Sequence, residues 1–90
     1  MINWSERAKR DLAMLSAYTA KHSPRGARRV VRRILKRIDD LVEMPEQGSL
    51  LPKGLRRLEV TQTPYLLIFK LEGDEVRIVR ILHGRRNRRS

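Results

Sequence analysis

The chain has no cysteine, which removes disulfide frameworks, thiolate metal sites and cysteine nucleophiles together. Its two histidines, His22 and His83, stand far apart, and nothing carries metal-ligand spacing. No metal and no cofactor is expected. No apolar run approaches the roughly 20 residues that span a bilayer. The opening MINWSERAKR also lacks the apolar core of a signal peptide, so a cytoplasmic protein without membrane contact is expected. Aromatics are scarce: Trp4, Tyr18, Tyr65 and Phe69 are the whole set. They are too few, and too apolar in setting, for a base-stacking platform.

Acidic residues are also in short supply. Ten Asp and Glu face 21 Lys and Arg, giving a formal net charge of +11 over 90 residues. An excess of this size repels itself in the folded state and attracts nucleic acid or an acidic protein. The shortage of aromatics leaves the acidic protein at least as good an account. Ninety residues fit one small domain, 1–90, with an Arg-rich end at 84–90. A hydrophobic content of 40% suffices for a core despite 34% charged residues.

Along the chain, Ile2 to Trp4 reads as a short strand. Ser5 is placed as an N-cap with Glu6 in the first turn. Ala8, Leu12, Leu15 and Thr19 follow at helical spacing to about Lys21, and Ala13, Ala17 and Ala20 form a smooth second stripe. Ser23-Pro24 closes this helix and opens another, with serine as N-cap and proline at the first helical position. The second helix should run from Pro24 to about Glu43. Its apolar residues, from Ala27 and Val30 to Leu41 and Val42, fall within an arc of roughly 140°. Arg25, Arg28, Arg29, Arg32, Arg33, Lys36 and Arg37 occupy the opposite arc. Arginines crowd the N-terminal half while Asp39, Asp40 and Glu43 sit near the C-terminus, and both placements oppose the helix dipole.

Residues 45–54, PEQGSLLPKG, read as a loop, Leu55 to Thr61 as a strand, and Tyr65 onward as a hairpin across Glu72-Gly73-Asp74-Glu75. The expected fold class is α+β, a two-helix hairpin packed on a small antiparallel sheet in the order β-α-α-β-β-β. A two-residue Gly73-Asp74 loop would pair Phe69 with Ile78, Leu67 with Arg80 and Tyr65 with Leu82 on one face. The other face would pair Ile68 with Val79 and Leu66 with Ile81. Both faces are then largely apolar, and two helices cover only one. The exposed patch of Leu66, Ile68, Val79 and Ile81 is expected to dock a second chain, although a one-residue slip would reassign every face. Arg80, on a mostly apolar face, is expected to meet a carboxylate or to reach past the core edge.

The C-terminal third reads TPYLLIFKLEGDEVRIVRILHGRRNRRS, an apolar strand delivering His83, Arg85, Arg86, Arg88 and Arg89 to the terminus. Together with YTAKHSPRGARRVVRRI, PEQG and GLRRLEV, it resembles the RelE/ParE toxin superfamily. RILHGRRN is most similar to the ParE-like, plasmid-stabilisation branch. The resemblance implies the toxin of a type II toxin–antitoxin pair, neutralised by a ParD-like antitoxin with an acidic toxin-binding segment. It implies DNA gyrase as the target, no catalytic residues, and target contacts at His83, Arg85, Arg86, Arg88 and Arg89. Antitoxin contacts are expected at Leu66, Ile68, Val79 and Ile81, with Arg28, Arg29, Arg32 and Arg33 of the second helix. The alternative branch is a RelE-like, ribosome-dependent messenger RNA endoribonuclease using Arg56, Arg80, His83 and Arg85. That chemistry needs an activated 2′-hydroxyl, charge stabilisation at phosphate and a proton for the leaving oxygen. Leu66 stands where such ribonucleases often carry arginine, and no tyrosine follows Tyr65. A plain nucleic-acid-binding domain is the third class and is not favoured.

Overall fold

The computed structural model describes residues 1–84. Strand β1 (Ile2–Trp4) leads into helices α1 (Glu6–His22) and α2 (Pro24–Glu43). Then come β2 (Ser49–Leu50), a 3-10 turn at Pro52–Gly54, β3 (Leu55–Glu59), β4 (Tyr65–Glu72) and β5 (Glu75–His83). The sheet order is β1-β5-β4-β3-β2. The two-helix α+β architecture is as expected, with two differences. β1 pairs with β5 in parallel, so the sheet is mixed. The expected loop at 45–54 also contributes the short edge strand β2, antiparallel to β3. A parallel neighbour needs a long crossover, here the whole path from α1 to β4, so local alternation could not reveal it.

Both helices start where the serines dictate. Ser5 Oγ accepts the Ala8 amide at 2.9 Å and donates to the Val79 carbonyl at 2.7 Å, so one hydroxyl caps α1 and ties it to β5. The Ser23 amide donates to Thr19 O at 3.0 Å, closing α1, while its Oγ accepts the Gly26 amide at 2.9 Å, opening α2. The result is a helix pair joined by a single non-helical residue.

Ile34, Ile38 and Leu41 of α2 pack with Ala8 and Leu15 of α1 against Leu58, Leu67, Phe69, Val76, Ile78 and Ile81 of the sheet. The apolar stripe of α2 is wider than the sheet can cover, and Leu35 and Val42 remain exposed at its flank. Arg37 Nε donates to Glu59 O at 3.2 Å and Arg33 Nη1 to Gln62 O at 3.3 Å. These bonds pin α2 over the β3–β4 connection. On the other flank, Asp11 of α1 lies against β5.

The β4–β5 hairpin begins as the two-residue loop predicts. Glu72 faces Glu75, Leu71 faces Val76, Lys70 faces Arg77 and Phe69 faces Ile78. Gly73 takes a φ of 61°, the positive value that the first central position of a II′ turn needs. The register then shifts at Ile68/Phe69, and Val79 is the extra residue. Beyond it Ile68 faces Arg80, Leu67 faces Ile81, Leu66 faces Leu82 and Tyr65 faces His83. The expected pairs Ile68–Val79, Leu66–Ile81, Leu67–Arg80 and Tyr65–Leu82 are thereby corrected. The reason is energetic: a regular ladder would set Arg80 opposite Leu67 in the core, whereas the bulge puts Ile81 there. Ile81 is 4% exposed and belongs to the helix-covered core.

Candidate functional site

The bulge fixes what the sheet presents on the face away from the helices. Leu66 and Ile68 of β4 and Leu82 of β5 form its apolar floor, and Arg57 and Glu59 of β3 form one wall. Thr63, Pro64, Tyr65 and Gly84 close one end, and Leu51, just after β2, closes another side. The groove encloses about 520 Å³. Leu66 is only 6% exposed yet lies outside the main helix-side core, while Ile68 and Leu82 are half-buried. Arg57 and Glu59 form an ion pair at 3.6 Å on the rim. The groove is therefore apolar along its floor and charged along one edge.

Its end is held by backbone. Gly84 N–H donates to Pro64 O at 2.8 Å, continuing the hairpin one step past β5. Thr63 Oγ1 donates to Val60 O at 2.9 Å and accepts the Tyr65 amide at 3.1 Å, which shapes the β3–β4 corner. The Tyr65 and His83 rings meet edge to face, with centroids 5.4 Å apart.

Of the four residues expected to form one docking patch, the structure brings Leu66 and Ile68 together in this groove. Ile81 lies in the core instead. Val79, half-buried, occupies the bulge with its carbonyl taken by Ser5. Leu82 fills the place expected for Ile81. On α2, Arg28, Arg29 and Arg32 are exposed on the face turned from the sheet, while Arg33 is half-buried and bonded to Gln62 O.

The cations of the ribonuclease alternative do not converge. Arg56 stands opposite Phe69, and its Nη1 donates to Glu46 O at 3.3 Å, beyond the end of α2. Arg80 grips Asp11 of α1 at 2.8 and 3.3 Å. His83 packs on the Tyr65 ring and is not among the residues that line the groove. Arg85, Arg86, Arg88 and Arg89 lie outside the described residues.

The sequence reading passed over three residues that matter. Arg57, not its neighbour Arg56, faces the groove. Parity with Leu58, which faces Leu67 in the core, could have separated them. Leu82 was hidden by the bulge. Asp11 sits at the i+3 position between Ala8 and Leu15 on the apolar face of α1, an acid where packing alone would want a hydrophobe. That was the available signal for the partner of Arg80. Among the described residues no group of three or more His, Cys, Asp or Glu could hold a metal ion, and no helix is long and apolar enough to cross a membrane.

A capped helix pair on one face of a bulged mixed sheet, with a groove on the other face, is the toxin fold of the RelE/ParE superfamily. Its backbone superposes on a chain of the chromosomal ParDE system from P. aeruginosa with a TM-score of 0.77 and 28% identity, covering 91% of this chain and 92% of that one. It also superposes on a chain of the intact E. coli RelBE toxin–antitoxin complex with a TM-score of 0.68. There the identity is 14%, over 90% and 92% of the two chains, and the likeness is one of fold. Residues 2–88 match the family described as the ParE toxin of the type II toxin–antitoxin system parDE. The chain is 36% identical to the putative toxin Y4kP of Sinorhizobium fredii over 92% of its length and 86% of the relative's. It is 32% identical to toxin RelE1 of Caulobacter vibrioides over 89% and 88%. The chain belongs to the ParE toxin family: it is a toxin of a type II toxin–antitoxin pair.

Proposed function

We propose that this toxin inhibits DNA gyrase by binding it, and that a ParD-like antitoxin neutralises it. In this reading an amphipathic antitoxin segment lays its apolar side chains on Leu66, Ile68 and Leu82, with acidic residues toward Arg57. His83 and the arginines at 85, 86, 88 and 89 contact the target. The observation that carries the reading is the Asp11–Arg80 pair: the central cation of the sheet is spent on the fold, and Arg56 is likewise bonded to backbone. A phosphoryl-transfer site needs several cations and a proton carrier around one reacting group. Binding needs only a complementary surface.

One observation favours the ribonuclease as a second reading. Tyr65, with the His83 ring packed on it, closes one end of the groove that Arg57 flanks, so a phenol and a cation border one space there. Induced expression separates the two readings. Relaxed plasmid and broken chromosomal DNA with intact messenger RNA support gyrase inhibition. Discrete messenger RNA ends at codon boundaries, with normal supercoiling, support the ribonuclease.

A further inference from the structure

The groove leaves one concentration of positive charge unused, on the exposed face of α2. Arg25, Arg28, Arg29 and Arg32 are exposed along the first two turns of α2. Among the described residues none of them has a carboxylate partner, whereas Lys36, further along the same face, is paired with Asp40 at 3.3 Å. Arg33 and Arg37, on the flank, are bonded to the carbonyls of Gln62 and Glu59 and serve the fold. The four arginines do the opposite. They crowd the positive end of a helix that has no acidic residue in its first turn, where cations are disfavoured. Among the described residues nothing relieves that repulsion. A local penalty of this kind points to a ligand.

We infer that this row is a docking surface for the phosphate backbone of double-stranded DNA. Spaced three or four residues apart, neighbouring side chains lie about 5–6 Å from one another. From Arg25 to Arg32 the row spans about 10 Å. At a rise of 3.4 Å per nucleotide that length covers about three phosphates of one strand. The residues are arginine throughout, the side chain whose planar fork binds phosphate oxygens in pairs. The row holds no apolar side chain at its centre; the exposed Leu35 lies at its end, one turn beyond Arg32. A protein interface needs an apolar anchor at its centre, whereas a phosphate backbone needs none. The scarcity of aromatics excludes base stacking but not contact with a duplex. The row also lies on the helical layer, on the opposite side of the sheet from the groove, so groove and row can be occupied together. The choice of DNA among polyanions rests on the gyrase reading, since a toxin on gyrase sits beside the enzyme's substrate.

The test uses the full chain and a fluorescent duplex of about 24 base pairs, without gyrase, titrated between about 50 and 200 mM salt. Replacing the row in R25Q/R28Q/R29Q/R32Q should lower the slope of log affinity against log salt by about 3 to 4 and weaken binding at least about tenfold at low salt. R28Q/R29Q should give about half that change in slope. A charge-matched control on other exposed residues, R7Q/R10Q/K21Q/K53Q, should leave the slope within about one unit of wild type. The row variants should melt no lower than wild type, which separates lost binding from lost folding. Equal loss in row and control variants would show that charge alone attracts DNA and would overturn the proposal. So would an unchanged slope in the row variants, or an oligoglutamate peptide bound as tightly as the duplex and as sensitive to the same substitutions. Because gyrase is absent from the assay, its result is independent of whether gyrase is the target.

Discussion

Asp11 of α1 takes two prongs of the Arg80 guanidinium, Nε to Oδ2 at 2.8 Å and Nη2 to Oδ1 at 3.3 Å. The same Oδ2 accepts the amide of Ile81 at 2.9 Å. That amide lies on the stretch of β5 that β1, ending at Trp4, does not reach. One carboxylate therefore stands in for the missing strand, neutralises Arg80 and locks the bulge at Val79. Its side chain is 11% exposed and that of Arg80 32%, so solvent screens the pair only partly.

Removing Asp11 leaves Arg80 unpaired and the Ile81 amide unsatisfied. Asp11→Ala should cost about 2–3 kcal/mol, lowering the melting temperature by roughly 10 °C or more in a domain of this size. Arg80→Ala should cost less, because Asp11 keeps the Ile81 amide and can turn toward water. A double-mutant cycle by chemical denaturation should return a coupling energy of about 1–2 kcal/mol. Additive losses would mean that the pair does not hold the bulge.

The corrected register separates two isoleucines that the regular hairpin would have kept on one face. Ile81→Asp sets an unpaired carboxylate in the core and should unfold a protein whose whole stability is about 5–15 kcal/mol. Ile68→Asp adds a charge to a half-exposed groove floor. It should fold with near-native circular dichroism while weakening antitoxin binding at least about tenfold, measured by calorimetry. Folded Ile81→Asp together with unfolded Ile68→Asp would reverse the assignment of faces.

Ser5 offers a comparison between two caps. Ser23→Ala removes one side-chain bond and should cost about 1 kcal/mol. Ser5→Ala removes the cap on Ala8 and the bond to Val79 O together, and should cost about 2 kcal/mol in thermal unfolding. Equal losses would show that the bond to the bulge contributes nothing.

Gly48 joins the loop after α2 to β2 with a φ of 90°, and a Cβ there would meet Arg57 O at 2.6 Å. The obstacle is backbone and cannot swing aside. Gly48→Ala should destabilise by at least about 1 kcal/mol. It should also raise hydrogen exchange at Ser49–Leu51, loosening the Leu51 side of the groove. Wild-type exchange at those amides would contradict the packing described for β2.

The sequence carried the local features well. Ser5, Ser23-Pro24 and the 3.6-residue period of α2 placed both helices within a residue of their ends, and Gly73-Asp74 placed the hairpin turn. Arg80 was legible as needing a carboxylate, though not which one. Three features were not local. The parallel β1–β5 pair depends on a crossover spanning most of the chain. β2 is two residues long, and its pairing is set by Gly48. The bulge depends on Asp11 and Ser5, which approach β5 from α1 and reward a register that β4 and β5 alone do not specify. From Val79 onward every facing on β5 inherited that slip, which is why Leu82 rather than Ile81 lines the groove; Arg57 faces it because β3 pairs Arg57 with Ile68 in a regular register.

The most direct test of the account is a supercoiling assay with purified DNA gyrase, relaxed plasmid and the full chain, with and without a ParD-like antitoxin. The account predicts loss of supercoiling or accumulation of cleaved plasmid, reversed by antitoxin and weakened but not abolished in His83→Ala. Removing residues 85–90 should abolish the effect while leaving antitoxin binding largely intact. Gyrase that supercoils normally in the presence of folded toxin would contradict the account and turn attention to the ribosome, with Arg57 and His83 as the first residues to replace.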